Sequence, residues 1–374
     1  RCENPLAIRD AFSNMPEPNV VSWNILMSAY AQNNCREVLH LFKKMLCEGI
    51  LPDETSFVLI LNACANEEAL AEGKRIHANL SGGRQSLYLW NALIHMYHKC
   101  NDLDETWQTF SQVIKPDCVT WNSIISAFIE DDLSFAMFNQ MLQNGIMPDQ
   151  ITFLTLLSAC ASQATLGNGK QIHARIISES KMNALDIVVN TNLVKMYGCC
   201  GEVVHASMLF HEMVDRNVLS WNSMLSTCAQ HGLGKVTLEL FRRMLKEHIT
   251  PDEITFTCLF SALSHDGLIA ETSELFCIMK STQGFELIED HYNCMIDALG
   301  RAGRLAEAEQ VLKDSPFQYK LLPVMTLLGS CKIHMDFGRG NDVIRQNLHF
   351  DQIGVAAYIK LLNNFNAIEI QGGE

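Results

Sequence analysis

The chain has 374 residues, and its 28 Lys and Arg face 42 Asp and Glu, giving a net charge of −14 at pH 7. At 48% apolar and 19% charged it has material for a large buried core, which excludes wholesale disorder, and no run of about 18 apolar residues exists to cross a bilayer. The acidic balance also excludes a broad basic surface as the main source of affinity for nucleic acid, because such affinity comes from Lys and Arg displacing counterions from phosphates.

In chain order, residues 1–19 carry no apolar signal-peptide core, and Arg1 in place of a start Met marks a fragment or a mature form. Val20-Val21-Ser22-Trp23-Asn24 opens a first apolar helix, and Asn33-Asn34 breaks it. A second run then places Val38, Leu41, Phe42 and Met45 on one face at three- and four-residue spacing. Gly49 and Pro52 stop this run just before Asp53. Asn62-Ala63-Cys64 and Gly73-Lys74-Arg75-Ile76-His77-Ala78 follow, then Met96-Tyr97. The series returns as Cys118-Val119-Thr120-Trp121-Asn122, Phe138 with Met141, Pro148-Asp149, Ser158-Ala159-Cys160, Gly169-Lys170-Gln171-Ile172-His173-Ala174 and Met196-Tyr197. A third pass holds Val218-Leu219-Ser220-Trp221-Asn222, Phe241 with Met244, and Pro251-Asp252.

Trp23, Trp121 and Trp221 lie 98 and 100 positions apart, and the two Met-Tyr pairs lie 100 apart. A superperiod of roughly 100 residues therefore divides into three units of about 31 to 37 residues. Each unit reads as two amphipathic helices that cannot bury their apolar faces alone. Stacking of neighbours completes the core, which predicts an all-α solenoid of antiparallel helix hairpins with a concave inner surface. No period-two strand pattern competes. The 14 cysteines sit in apolar helical runs without any C-x-x-C pair, so they read as small hydrophobes in a reducing compartment.

Taken together, these strings resemble the pentatricopeptide repeat proteins of plants, and within them the PLS subclass, which cycles standard, long and short motifs in this order. The strings that carry the resemblance are V-V-S-W-N, F-x-x-M with a terminal P-D, G-K-x-I-H-A and the run from His291 through Gly300-Arg301-Ala302-Gly303-Arg304-Leu305. That run is similar to the last short motif before the family's E region, and Leu327-Leu328-Gly329-Ser330-Cys331-Lys332-Ile333-His334 resembles the start of that region. The resemblance implies a right-handed superhelix. It frames residues 1–19 as the tail of a short motif, followed by standard 20–53, long 54–86, short 87–117, standard 118–149, long 150–186, short 187–217, standard 218–252, long 253–288 and short 289–320. An E-like helical region then takes 321–374, without the family's DYW deaminase domain. Motif 118–149 has 32 residues against 34 and 35 in its sisters, so its turn around Glu130-Asp131-Asp132 is expected to be shortened.

The same resemblance implies a reader of single-stranded RNA, with one base met per helical repeat. In the family the fifth and last residues of a motif face the base edge. Here they are Asn24/Asp53, Asn91/Asp117, Asn122/Asp149, Thr191/Asn217, Asn222/Asp252 and Asn293/Lys320. By the family's code Asn with Asp favours U and Thr with Asn favours A, while Asn293/Lys320 departs from the favoured combinations and leaves its base undefined. The long-motif pairs Val58/Ser86, Leu154/Asp186 and Thr257/Ile288 read poorly, and apolar Val58 and Leu154 have no group to bond a base edge. The implied preference from the 5′ end is U-N-U-U-N-A-U. The second residue of each motif, Val21, Tyr88, Val119, Val188 and Leu219, is expected to wedge between bases, where an apolar flank accepts any base. Affinity would then rest on base edges and stacking more than on phosphates, as the acidic charge requires. The implied partners are an organellar single-stranded RNA and, in trans, a deaminase-bearing repeat protein or accessory editing factors at a C-to-U editing site. The implied location is the mitochondrion, with the chloroplast as the alternative and no membrane partner.

Other chemistry finds little support. A zinc deaminase needs H-x-E and P-C-x-x-C to hold and activate water; neither string occurs, so no catalytic residue, metal site or cofactor is expected and the chain is not read as an enzyme. Gly167-Asn168-Gly169-Lys170 and Gly232-Leu233-Gly234-Lys235 lack the first glycine and the Ser/Thr of a phosphate-binding loop. Two further readings stay open: a tetratricopeptide-like scaffold that binds a peptide or helix in the same groove, which the acidic charge suits, and a truncated family member without activity. The three Trp residues are expected in the core, and the Asp of each Pro-Asp is expected to double as an N-cap.

Overall fold

Short polar side chains at the junctions start the helices, and every described element is a helix. The computed structural model describes residues 5–31, 34–80, 86–130, 133–178, 186–281, 287–318 and 320–347. Asp131, Asp132 and the segment 348–374 of the expected E-like region lie outside them.

The chain divides into two units, Arg1–Met182 and Asn183–Glu374. The first contains α1 (Pro5–Ser13), α2 (Val20–Tyr30), α3 (Cys35–Cys47), α4 (Glu54–Asn66), α5 (Leu70–Asn79), α6 (Leu87–Lys99), α7 (Leu103–Ser111), α8 (Cys118–Ala127), α9 (Leu133–Gln143), α10 (Gln150–Gln163) and α11 (Leu166–Ser178). The second contains α12 (Ile187–Cys199), α13 (Val203–Glu212), α14 (Val218–Gln230), α15 (Gly234–Lys246), α16 (Glu253–His265), α17 (Ile269–Ser281), α18 (Glu289–Arg301), α19 (Leu305–Lys313), α20 (Leu321–Ile333) and α21 (Phe337–Asn347). No described helix is long and apolar enough to cross a membrane.

Asn19, Asp53, Asp149, Asn217 and Asp252 each accept the backbone N–H three residues on. The Ser or Thr there (Ser22, Ser56, Thr152, Ser220, Thr255) accepts the cap's own N–H in return. This is a capping box with a hydroxyl in place of the usual Glu or Gln, and such a cap stabilises by about 1 kcal/mol. In α18 an imidazole takes the same place: His291 accepts the Ile288 N–H at Nδ1 (3.3 Å) and donates from Nε2 to the Glu253 carbonyl (3.0 Å). The helix ends repeat as well. Gly201 and Gly303 take φ of +83° and +73°, and the next residue's N–H reaches back to close the turn (Glu202 to Tyr197 O and Arg304 to Leu299 O, both 2.9 Å). Glu68, Asn101, Ala164, His248 and Met335 hold the same left-handed conformation with a side chain attached.

In the first unit α2, α4, α6, α8 and α10 pack in succession, and α3, α5, α7 and α9 each bridge the two helices beside them in sequence. The second unit repeats this with α12, α14, α16, α18 and α20, bridged by α13, α15, α17 and α19. Each unit is therefore a stack of helix hairpins, an α-solenoid. Trp23, Trp121 and Trp221 are fully buried in it, as expected. Each stands edge-on to a Phe of the preceding helix, Phe12, Phe110 and Phe210, with ring centroids 4.6, 4.9 and 4.8 Å apart. Such contacts add about 0.5–1.5 kcal/mol each to plain burial. The F-x-x-M residues Phe42, Met45, Phe138, Met141, Phe241 and Met244 fill the same core.

Candidate nucleic-acid interface

Three of the six fifth-and-last pairs meet in one geometry. Asn24 Nδ2 donates to Asp53 Oδ1 at 2.9 Å, Asn122 Nδ2 to Asp149 Oδ1 at 3.0 Å, and Asn222 Nδ2 to Asp252 Oδ1 at 2.9 Å. The other end of each amide is held too. Ser56 Oγ donates to Asn24 Oδ1 at 2.6 Å, Thr152 Oγ1 to Asn122 Oδ1 at 2.6 Å, and Thr255 Oγ1 to Asn222 Oδ1 at 2.7 Å. These hydroxyls belong to the capping boxes already described, so one side chain starts a helix and anchors the amide of the previous motif. The carboxylate next to each nitrogen is an acceptor only, which assigns the amide orientation. The three Asn side chains are nearly buried, yet each amide keeps one lone pair unspent by these bonds, and Asn24 and Asn222 keep one N–H as well, while Asn122 gives its second N–H to Cys118 Sγ at 3.7 Å.

Burial pushes Asp53, Asp149 and Asp252 up, and hydrogen bonds to the ionised form outweigh it. The donors are the backbone N–H of Ser56, Thr152 or Thr255 and the partner Asn amide, with the same Ser or Thr hydroxyl in reach of the carboxylate when it is not turned to the amide oxygen. All three carboxyls end below their ordinary value of 3.8. The Asp is thus a fixed negative group at the end of its motif.

The other pairs are placed differently. Asn91 Oδ1 is buried with no partner among the described residues. Asp117 instead caps α8, accepting Thr120 N–H at 2.9 Å and Thr120 Oγ1 at 2.8 Å. Thr191 Oγ1 turns back to the Ile187 carbonyl of its own helix at 2.6 Å, while Asn217 accepts Ser220 N–H at 3.0 Å. Asn293 Oδ1 accepts from Thr326 Oγ1 at 2.5 Å, and Lys320 begins α20 as an exposed residue without a side-chain cap bond. In the expected long motif 253–288, Thr257 likewise bonds back to the Glu253 carbonyl at 2.9 Å.

The second-position residues stand out into solvent. Val21 (58% exposed), Tyr88 (79%), Val119, Val188 and Leu219 are all exposed, each three residues before its fifth-position partner and so beside it on the helix surface. Ile151 and Ile254, at the same place in two of the expected long motifs, are exposed in the same way. Sequence reasoning passed over them because the long motifs were set aside as poor readers; their apolar type at the second position was the available signal.

Among the described residues no group of three or more His, Cys, Asp and Glu side chains could hold a metal ion. Burial pushes the Cys64 and Cys294 thiols up to about 12 and those of Cys228, Cys258 and Cys331 to about 11, so these behave as hydrophobes rather than nucleophiles.

A model of the PPR repeat family matches residues 18–66, 116–162 and 216–265, and a PPR repeat model matches 88–118, 191–218, 254–282 and 290–315. A pentatricopeptide repeat-containing protein of Arabidopsis thaliana named as chloroplastic is 36% identical over 343 residues, covering 89% of this chain and 42% of that protein. Another from the same plant, named as mitochondrial, is 33% identical over 376 residues, with 94% and 40% covered. The chain thus spans about two fifths of the length of these relatives. Among solved structures, the pentatricopeptide repeat protein PPR10 in complex with an 18-nt psaJ RNA element aligns with a TM-score of 0.75 at 19% identity, over 95% of this chain and 55% of that one. The crystal structure of PPR10 from maize aligns with a TM-score of 0.66 over 98% and 59%.

Proposed function

We propose a function from one premise: this chain belongs to the pentatricopeptide repeat family. It is a sequence-specific binder of single-stranded RNA in a plant organelle, a PLS-type array with an E-like end that selects a site for C-to-U editing. The deaminase chemistry is supplied from outside these residues, in trans, by a deaminase-bearing repeat protein or accessory editing factors. The mitochondrion is the first location to test and the chloroplast the second; relatives carry both designations.

The observation that carries this reading is the threefold recurrence of one node, an Asn amide pinned between an Asp carboxylate and a hydroxyl, beside an exposed apolar side chain. Recurrence at Asn24, Asn122 and Asn222, once in each superperiod, suits a reader that meets one base at each of these repeats, with the amide for the base edge and Val21, Val119 or Leu219 for its face. A core-packing role alone does not call for both a polar edge and an exposed apolar neighbour. PPR10, which shares the fold, was crystallised with RNA.

The test is an anisotropy titration of the full chain with an RNA carrying 5′-UNUUNAU-3′ and with a scrambled RNA of equal composition. Selective binding at moderate salt is expected. Thr191→Asn combined with Asn217→Asp should then move the preferred sixth nucleotide from A to U at similar affinity. No binding to either RNA at low salt would reject the reading and favour a protein-binding scaffold.

A further inference from the structure

We infer that the hydroxyl at the third position of the following motif, Ser56, Thr152 or Thr255, is a specificity-determining residue that fixes which end of the neighbouring Asn amide faces the base. This inference rests on the RNA reading proposed above.

An amide is nearly symmetric in shape and opposite in chemistry at its two ends. Turned one way, it offers C=O to the N3–H of uracil and N–H to the O4 of uracil. Turned over, it offers N–H to the N3 of cytosine and C=O to the exocyclic amine of cytosine. An Asn that rotates freely therefore pairs with either pyrimidine, and one held in a single orientation separates them. The carboxylate holds the nitrogen end at 2.9–3.0 Å. The hydroxyl holds the oxygen end at 2.6–2.7 Å.

The hydroxyl is itself prepared as a donor. Its oxygen accepts the backbone N–H of Asp53 (3.3 Å), Asp149 (3.1 Å) or Asp252 (3.1 Å), which leaves its hydrogen to go forward. It has a second acceptor in reach, the Asp Oδ1 at 2.8–2.9 Å, but the bond to the amide oxygen is shorter at each node. Two other motifs bear on the assignment. Where the third residue is Pro323, the amide oxygen of Asn293 is still held by a hydroxyl, that of Thr326. At Asp117 the hydroxyl of Thr120 goes to the carboxylate, and the oxygen of Asn91 is left without a partner. The same residue types are present there, but the Asn–Asp bond and the hydroxyl bond to the amide oxygen are missing together.

The experiment compares the full chain as wild type, Thr255→Val and Thr255→Ser. Each is titrated with 5′-UNUUNAU-3′ and with the RNA whose seventh nucleotide is C, and thermal melting is recorded beside it. Thr255→Val should lower the U-over-C preference at the seventh nucleotide by roughly fivefold, the change expected for one neutral hydrogen bond, while the preference at the fourth stays put. Thr255→Ser should keep it. Thr152→Val, read at the fourth nucleotide, repeats the test in the other unit should Thr255→Val fail to fold. A folded Val variant that retains the wild-type preference overturns the inference and leaves the RNA reading standing. A wild type that binds both RNAs but prefers neither pyrimidine also overturns the inference alone, whereas a wild type that binds neither RNA at low salt overturns the RNA reading, and the inference with it.

Discussion

A double-mutant cycle on Asn222 and Asp252 measures whether the node exists as drawn. Asp252→Ala removes the cap of α16, worth about 1 kcal/mol, together with the bond from Asn222. Asn222→Ala removes that bond and the acceptor of Thr255 Oγ1, which can turn to Asp252 Oδ1 at 2.8 Å. The cap loss cancels around the cycle, but the hydroxyl's turn does not, because the double variant leaves Thr255 Oγ1 with neither acceptor; run in a Thr255→Val background, the cycle isolates the Asn–Asp term. A hydrogen bond to a carboxylate contributes about 1.5–3 kcal/mol net when well buried. Asp252 is half-buried, so the expected coupling is about 1 kcal/mol. The matching cycle on Asn91 and Asp117, which share residue types but no bond, should give a coupling near zero. Urea unfolding followed by helical circular dichroism supplies the numbers, accepted where the slope is unchanged between variants. The pH dependence adds a check. Asp252 is depressed below 3.8 in the folded chain, so its stabilisation is complete above that unfolded value and is lost as pH falls through the lower, folded one. A coupling below about 0.3 kcal/mol at neutral pH, or equal couplings in both cycles, would refute the node.

Gly198→Ala should destabilise by about 1–2 kcal/mol despite better helix propensity, because an added Cβ would lie 2.8 and 2.9 Å from Cγ2 and Cβ of buried Thr227 on α14; adding Thr227→Ala, which removes Cγ2 but keeps Cβ, should recover only part of the loss in a urea melt. His248→Gly, at φ +56°, should raise stability by about 0.5–1 kcal/mol by the same measurement, since glycine carries no Cβ penalty there. Alkylation of the native chain at pH 8, mapped by mass spectrometry, should mark exposed Cys47 and Cys277 and spare buried Cys64, Cys228 and Cys331.

The hairpin stack was legible because its signals are large. Trp23, Trp121 and Trp221 fall in register, and Val38, Leu41, Phe42 and Met45 describe one helix face that must be covered. The caps were legible at Asp53, Asp149 and Asp252 because Asp after Pro and before an apolar run has few other uses. The amide anchor was not. A Ser or Thr three residues into a helix already has a full explanation as the far half of a capping box, and its second bond crosses to a residue about thirty positions earlier. Nor could residue type separate Asn122/Asp149, which bond, from Asn91/Asp117, which do not, although both Asp residues cap the next helix from extended backbone. The left-handed residues without glycine, such as Glu68 and Ala164, are also silent in sequence, because the turn that ends the helix, closed by Ala69 N–H to Cys64 O and Thr165 N–H to Cys160 O, takes a conformation their side chains disfavour.

The node takes Asn222 from one hairpin, Asp252 from the junction and Thr255 from the hairpin that follows. The exchangeable cassette of such an array is therefore not the hairpin itself but the hairpin plus the first turn of its successor. A chimaera spliced between Asp252 and Glu253 inherits its amide and carboxylate from one parent and its hydroxyl from another. A splice placed after Thr255 carries the node across whole, so recombination points one helical turn into the next motif are those that preserve a recognition unit intact.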